Sequence, residues 1–182
     1  NSCARELCIS PHRMTILLMG GGPGPGSVAE VAEHLLRAHT GIQIIALAGS
    51  DKAALAALHG LAAEYAGRLS PQSYTDKVEQ LMACSDLVVT KSGGLITSES
   101  LALGLPMVVI APIPGQEEHN ANFLLERGAA LKASALLSLE YRIVYLIAHP
   151  AKLKEMRANA QALGRPAAAS RVLATVLQPN LG

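Results

Sequence analysis

Short apolar runs alternate with helix-patterned stretches along most of this chain, and that alternation constrains its fold more than any other feature. Strands are expected at residues 14–19, 42–48, 68–74, 87–90, 106–111 and 129–132, the third weakened by Pro71. Helices are expected between them, at 27–39, 51–66, 75–83, 95–103 and 117–127. From Ser138 to about Leu177 the pattern is helical only, and Pro150 and Pro166 divide it into three. Strands apolar along their whole length are buried on both faces. With helices between them they make a parallel sheet covered on both sides. The expected fold class is α/β, a doubly wound parallel sheet. Such sheets bind ligands at the carboxyl ends of their strands. Four of those ends carry small or polar loops, at 20–26, 49–51, 91–94 and 112–116.

Composition narrows the function classes. The 182 residues are 50% hydrophobic and 16% charged, enough apolar material for the full core of one ordinary domain. The formal net charge is +1, Trp is absent and there is one Phe. Neither a basic footprint nor a base-stacking surface for nucleic acid is expected. No apolar run has the length of a transmembrane helix, and the first, at 16–19, is too short for a secretory leader. Cys3, Cys8 and Cys84 fit no zinc spacing and are expected as free thiols in a reducing compartment. The six histidines form no HxxxH or HExxH pair, so no metal site is expected.

The stretch "TKSGGLITSESLALGLP" at 90–106 carries the clearest chemistry. A strand runs into Ser92-Gly93-Gly94 and then into a helix. Two glycines at a helix start are costly unless the backbone itself is needed there. The first N–H groups of that helix lack partners and carry the positive end of its dipole, which suits a phosphate. Glu99 follows about one turn later. A phosphate would repel it, whereas a pair of vicinal hydroxyls would suit it. Phosphate beside vicinal hydroxyls describes a ribose nucleotide. The local pattern equally allows a solvated glutamate on an amphipathic helix.

Two other loops add to this. "GGGPGPGS" offers further backbone donors before a helix, and Ser27 with Glu30 reads as a capping box. It lacks the Walker lysine, and the second strand does not end in the acid a dinucleotide ribose would need. A plain tight turn is the alternative. In "PIPGQEEHNANF", residues 112–123, amides and carboxylates crowd a helix start and could read several sugar hydroxyls. Gln116, Glu117 and Asn120 lie where that role fits; Glu118 and His119 fit a solvated helix face.

Three segments together resemble a known family: "MGGGPGPGSVAEV", "YTDKVEQLMACSDLVVTKSGGLITSESLALGLPMVV" and "PIPGQEEHNANFLLERGAA". They look like the C-terminal, Rossmann-like half of GT-B glycosyltransferases. The match is to the monogalactosyldiacylglycerol synthase and processive diacylglycerol glucosyltransferase group, with the enzyme that makes lipid II as a more distant relative. The resemblance runs from about Ala4 to Gln178. It implies an inverting, metal-free transfer of galactose or glucose from a UDP-sugar to a diacylglycerol-type membrane lipid. It further implies that Glu99 holds the ribose, that Ser92, Gly93 and Gly94 lie at the diphosphate, and that Gly21 and Gly22 face the phosphates. Tyr74, Thr75 and Val78 would frame the uracil, and Gln116, Glu117 and Asn120 would read the sugar.

The resemblance also implies a division of labour. The acceptor site, the general base and the membrane-binding surface would belong to an N-terminal domain, so no catalytic residue is named in this chain. Residues 1–13 read as the end of an interdomain linker and 14–178 as the donor-binding domain. The expected setting is cytoplasmic and peripheral to a membrane, with no cofactor beyond the donor substrate and no nucleic-acid partner. Two departures stand out: Ser92 where proline is frequent, and His119 where an acid is common. A stand-alone nucleotide-sugar-binding module, or a subunit completed by another chain, is the alternative from a different class. Half of a UDP-sugar epimerase is a third.

Overall fold

The computed structural model describes residues 7, 9–20 and 26–166. Gly21, Gly22 and the helix expected after Pro166 lie outside these residues. The elements are β1 (Met14–Met19), α1 (Val28–Ala38), β2 (Ile42–Leu47), α2 (Lys52–Glu64), β3 (Leu69–Gln72), α3 (Val78–Ala83), β4 (Leu87–Thr90), α4 (Gly94–Ala102), β5 (Met107–Ile110), α5 (Gln116–Glu126), β6 (Ala130–Ala133), α6 (Leu136–Ala148) and α7 (Pro150–Leu163).

The six strands form one sheet in the order β3-β2-β1-β4-β5-β6, and every neighbouring pair is parallel. The chain leaves β1 toward one edge and returns to β4 to build the other. The switch point therefore lies between β1 and β4, where open α/β sheets bind their ligands.

Alternating strand residues feed two cores. Ile16, Leu18, Ile44, Val89 and Val108 pack with α1, α2 and α6 on one face. Leu17, Ile45, Val88, Met107 and Val109 pack with α3, α4 and α5 on the other. Double-sided burial explains why these strands read as continuous apolar runs. α7 serves both cores, Met156 joining the first and Ala160 the second. It crosses the amino-terminal edge of the sheet: Arg157 Nη2 donates to Asp86 O at 3.3 Å and Asn159 Nδ2 donates to Gly128 O at 3.2 Å, just ahead of β4 and β6. The carboxyl edge stays open.

The segment before β1 is fastened to the sheet by one buried amide. Gln43 is fully buried in β2. Its Nε2 donates to Ser10 O and Thr15 Oγ1 at 2.7 and 2.8 Å and lies 3.4 Å from Arg13 O, while its Oε1 accepts from Ser10 N at 2.7 Å. On the same edge Thr15 N donates to Asp86 Oδ2 at 2.9 Å. Arg68 closes the turn after α1 by donating to Leu36 O, His39 O and Ile42 O. Burial, then nearby Arg13, pull its pKa below the ordinary arginine value.

Local signals act largely as read. Ser27 and Glu30 form the capping box of α1, and Pro150 occupies the first turn of α7. Gly128, at φ 66°, terminates α5 in the left-handed region. Three expectations shift. Pro71 sits inside β3 and pairs with Ala46, because β3 is an edge strand whose outward N–H positions need no ladder partner. The helix expected from residue 75 begins at Val78; Thr75 Oγ1 accepts from Lys77 N at 3.0 Å and holds a local turn instead. Cys84, at the C-cap of α3, is disulfide-bonded, which corrects the free-thiol reading for that residue. Cys3 and Cys8 lie outside the described residues.

Candidate functional site

The turn between β4 and α4 ends in a helix start with exposed backbone donors. Ser92 is fully buried, Gly93 is the N-cap of α4 and Gly94 its first residue. No side chain caps this helix. Its first N–H groups therefore remain available at the carboxyl edge of the sheet, next to the switch point.

α5 braces the elbow from behind. Ser92 Oγ donates to Glu117 O at 2.5 Å, and Asn120 Nδ2 donates to Ser92 O at 2.8 Å. The hydroxyl gained where the resembled group often has proline is thus used to tie β4 to α5. Glu117 Oε2 accepts from Ile113 N at 2.8 Å and stiffens the turn that leads into α5. These bonds leave Glu117 Oε1 and Asn120 Oδ1 for a ligand. Asn120→Ala is expected to destabilise the fold by about 1–2 kcal/mol by orphaning the buried Ser92 carbonyl. Chemical denaturation checks this, and unchanged stability would show that the brace carries no load.

In front of the elbow lies a cleft of ≈ 540 Å³ lined by Met19, Tyr74, Thr75, Asp76, Val78, Glu79, Gly93, Gly94, Leu95, Ile96 and Glu99. It joins the β3–α3 loop to the start of α4 across the end of β1. Six residues expected at a ligand from sequence, Tyr74, Thr75, Val78, Gly93, Gly94 and Glu99, share this one cleft. Gln116 borders it, for its Nε2 would lie 3.7 Å from a Cβ added at Gly94. Ser92, Glu117 and Asn120 stand behind the lining as the brace. Gly21 and Gly22 fall outside the described residues.

The lining has a polarity. Asp76, Glu79 and Glu99 contribute carboxylates along it, and no lysine or arginine does. Glu99 is half-buried and has no hydrogen-bond or ion-pair partner among the described residues. Such a carboxylate is set to accept two donors at once. Anionic groups are repelled from the acids and drawn to the uncapped N–H groups of Gly94 and its successors. A ligand with hydroxyls or N–H groups at one end and phosphate at the other fits this order. Tyr74, 72% exposed at the rim, offers a flat apolar face.

Sequence reasoning missed Met19, Asp76, Glu79, Leu95 and Ile96. Met19 was findable, since it ends the strand ahead of the glycine loop. Leu95 and Ile96 follow the elbow directly. Asp76 and Glu79 gave no signal, because the expected helix from residue 75 made them surface positions. Among the described residues no cluster of three metal-ligating side chains occurs, and no helix is long and apolar enough to cross a membrane.

Comparison with known proteins places this geometry. The glycosyltransferase family 28 C-terminal domain matches residues 15–172. The processive diacylglycerol β-glucosyltransferase of Bacillus subtilis is 29% identical over 173 residues, covering 94% of this chain and 45% of that enzyme. Its Bacillus cereus counterpart is 27% identical over 176 residues, covering 96% of this chain and 45% of the enzyme. The chain thus spans less than half the length of these relatives. Among solved structures, MurG of Acinetobacter baumannii superposes with a TM-score of 0.72 at 21% identity, over 97% of this chain and 53% of MurG. Anabaena HepE in complex with UDP and glucose gives 0.70 at 19% identity, over 97% of this chain and 50% of HepE. At those identities the structures show the fold alone.

Proposed function

The chain belongs to the glycosyltransferase family 28 C-terminal domain family, and from that premise we propose that it binds the UDP-hexose donor of a glycosyltransferase whose acceptor is a diacylglycerol-type membrane lipid. One observation carries this reading: the elbow without a side-chain cap, the Glu99 carboxylate, which has no partner among the described residues, and the Tyr74–Val78 loop line a single cleft at the switch point. Tyr74, Thr75 and Val78 frame the uracil. Glu99 accepts both ribose hydroxyls. The N–H groups after Gly93 hold the diphosphate, with Gly21 and Gly22 completing that side, and Gln116, Glu117 and Asn120 read the hexose.

The chemistry proposed is an inverting transfer. A lipid hydroxyl attacks the anomeric carbon, the bond to the diphosphate oxygen breaks, and UDP leaves with the electron pair. Backbone donors fixed at the helix start stabilise that charge without reorganising, the electrostatic term that enzymes commonly rely on. The reading needs no bound metal or further cofactor. The general base and the lipid site lie on the other half of the full-length protein, so residues 14–178 bind donor and do not transfer it alone. Residues 1–13 are the linker to that half, and the whole works peripherally at the cytoplasmic face of a membrane. The names of the relatives make glucose the first donor to try and galactose the second.

Gln116→Ala is expected to weaken UDP-hexose binding by about 1 kcal/mol or more while leaving UDP itself nearly unchanged. Paired titrations with the two ligands check it. Equal losses for both would move Gln116 out of the sugar subsite.

The activity is tested on the full-length protein with UDP-glucose or UDP-galactose and vesicles containing diacylglycerol. The reading predicts a glycolipid product from the whole protein and none from this chain alone. An epimerised UDP-sugar without lipid transfer would contradict it in favour of an epimerase. Donor binding with neither reaction would favour a binding module.

A further inference from the structure

A diphosphate is multiply charged, and the cleft lining offers no cation to it. Its three charged residues, Asp76, Glu79 and Glu99, are all acidic. Of the elements around the elbow, α1 has a Glu30 carboxylate bound to Ser27 N at 2.7 Å, and α5 has a Glu117 carboxylate bound to Ile113 N. Neither helix brings a lysine or arginine to its first turn.

One cation stands at the elbow itself. Lys91 follows the last residue of β4 and precedes Ser92. It is half-buried, and among the described residues it has no hydrogen bond, ion pair or ring contact with any carboxylate, carbonyl or aromatic group. Arg68 is engaged by three carbonyls, Arg13 by Gly67 O, and Arg157 by Asp86. A lysine placed as Lys91 is can lay its stem along apolar surface while its ammonium stays in water, within reach of an incoming anion.

Its place in the sheet is equally specific. The β1–β4 register ends with Leu18 opposite Val89, and the β4–β5 register ends with Thr90 opposite Val109. Continued two residues and one residue respectively, those registers set Lys91 beside Gly20 and Ile110. Strand alternation puts Lys91 on the face of Val89, toward α1, while Thr90 lies on the face of Val88. A Cβ at Gly20 would meet Val28 Cβ at 2.7 Å, so only glycine lets the start of α1 come this close. Lys91 therefore stands between the amino-terminal ends of α1 and α4, at the switch point.

We infer that Lys91 is the charge partner of the donor's diphosphate, reaching it from the α1 side while the Gly94 N–H groups hold it from the α4 side. This rests on the donor-site reading given above. It assigns the anion-binding role to a charged side chain outside the lining of the cleft, and it predicts that recognition of the phosphates and of the nucleoside separate cleanly.

The test is calorimetric titration of this chain, unaltered and as Lys91→Met and Lys91→Arg, with UDP, UMP and uridine. Lys91→Met should lower UDP affinity about tenfold or more, lower UMP affinity less, and leave uridine unchanged; Lys91→Arg should keep UDP binding within about threefold. The retained binding by the arginine variant and a matching thermal transition separate lost charge from lost fold. UDP affinity unchanged in Lys91→Met, or UDP and uridine weakened together, would overturn the inference while leaving the donor site standing. Failure of the unaltered chain to bind UDP would overturn both.

Discussion

Glu99→Ala is expected to lower the affinity of this chain for UDP by about 1–3 kcal/mol, a loss of roughly fivefold to 150-fold. The side chain is half-buried in the cleft lining and has no partner among the described residues, so its removal breaks no internal bond among them. A ligand bearing vicinal hydroxyls loses two charge-assisted hydrogen bonds at once. Uridine should lose as much as UDP, because the ribose is common to both, whereas 2′-deoxyuridine diphosphate should lose less. Thermal stability should stay within about 0.5 kcal/mol, as for substitutions that break no packed contact. UDP affinity unchanged in a folded variant would return Glu99 to a solvated helix face.

Gln43→Ala is expected to have the largest effect on stability, a loss of about 2–4 kcal/mol. The fully buried amide donates to Ser10 O and Thr15 Oγ1 and accepts from Ser10 N. Truncation orphans these polar groups and opens a cavity beside Thr15 at the amino-terminal edge of the sheet, and the two costs add. For a chain of this size that corresponds to a fall in Tm on the order of 10 °C. Residues 9–13 should become accessible to protease before the rest of the fold, because Gln43 is what joins them to β2. A loss under about 1 kcal/mol would show that the segment is held by other contacts.

What was legible in the sequence follows from which signals are local. β1 and β4 appear where their apolar runs placed them, since a strand buried on both faces reads as an almost unbroken apolar run, with only Thr15 and Thr90 polar near its ends. The elbow was legible because strand, two glycines and helix is a short local pattern, and Glu99 follows it at helical spacing. The Ser27–Glu30 cap was legible for the same reason.

The rest depended on topology. Asp76 and Glu79 reach the cleft because the β3–α3 connection crosses the end of β1 on its way from the sheet edge to β4. That order is set by which strands pair, and no stretch of sequence announces it. The start of α3 was misplaced because the Thr75 hydroxyl bonds the Lys77 amide, a side-chain contact that competes with helix at modest cost. Glu117 and Asn120 read as ligand groups, and part of each is committed to the backbone of the elbow and its neighbouring turn. Their amide and carboxylate types suited both tasks, so type alone did not separate them. The disulfide at Cys84 was not legible from three cysteines with no framework spacing.

The most direct test of the account is calorimetric titration of the 182-residue chain with UDP, beside ADP and GDP. The account predicts saturable, one-site binding of UDP and much weaker binding of the purine nucleotides, because it assigns the Tyr74–Val78 loop to the uracil. Equal binding of all three would reduce the site to a phosphate-binding helix start. No binding of any of them would contradict the claim that this chain carries a donor site.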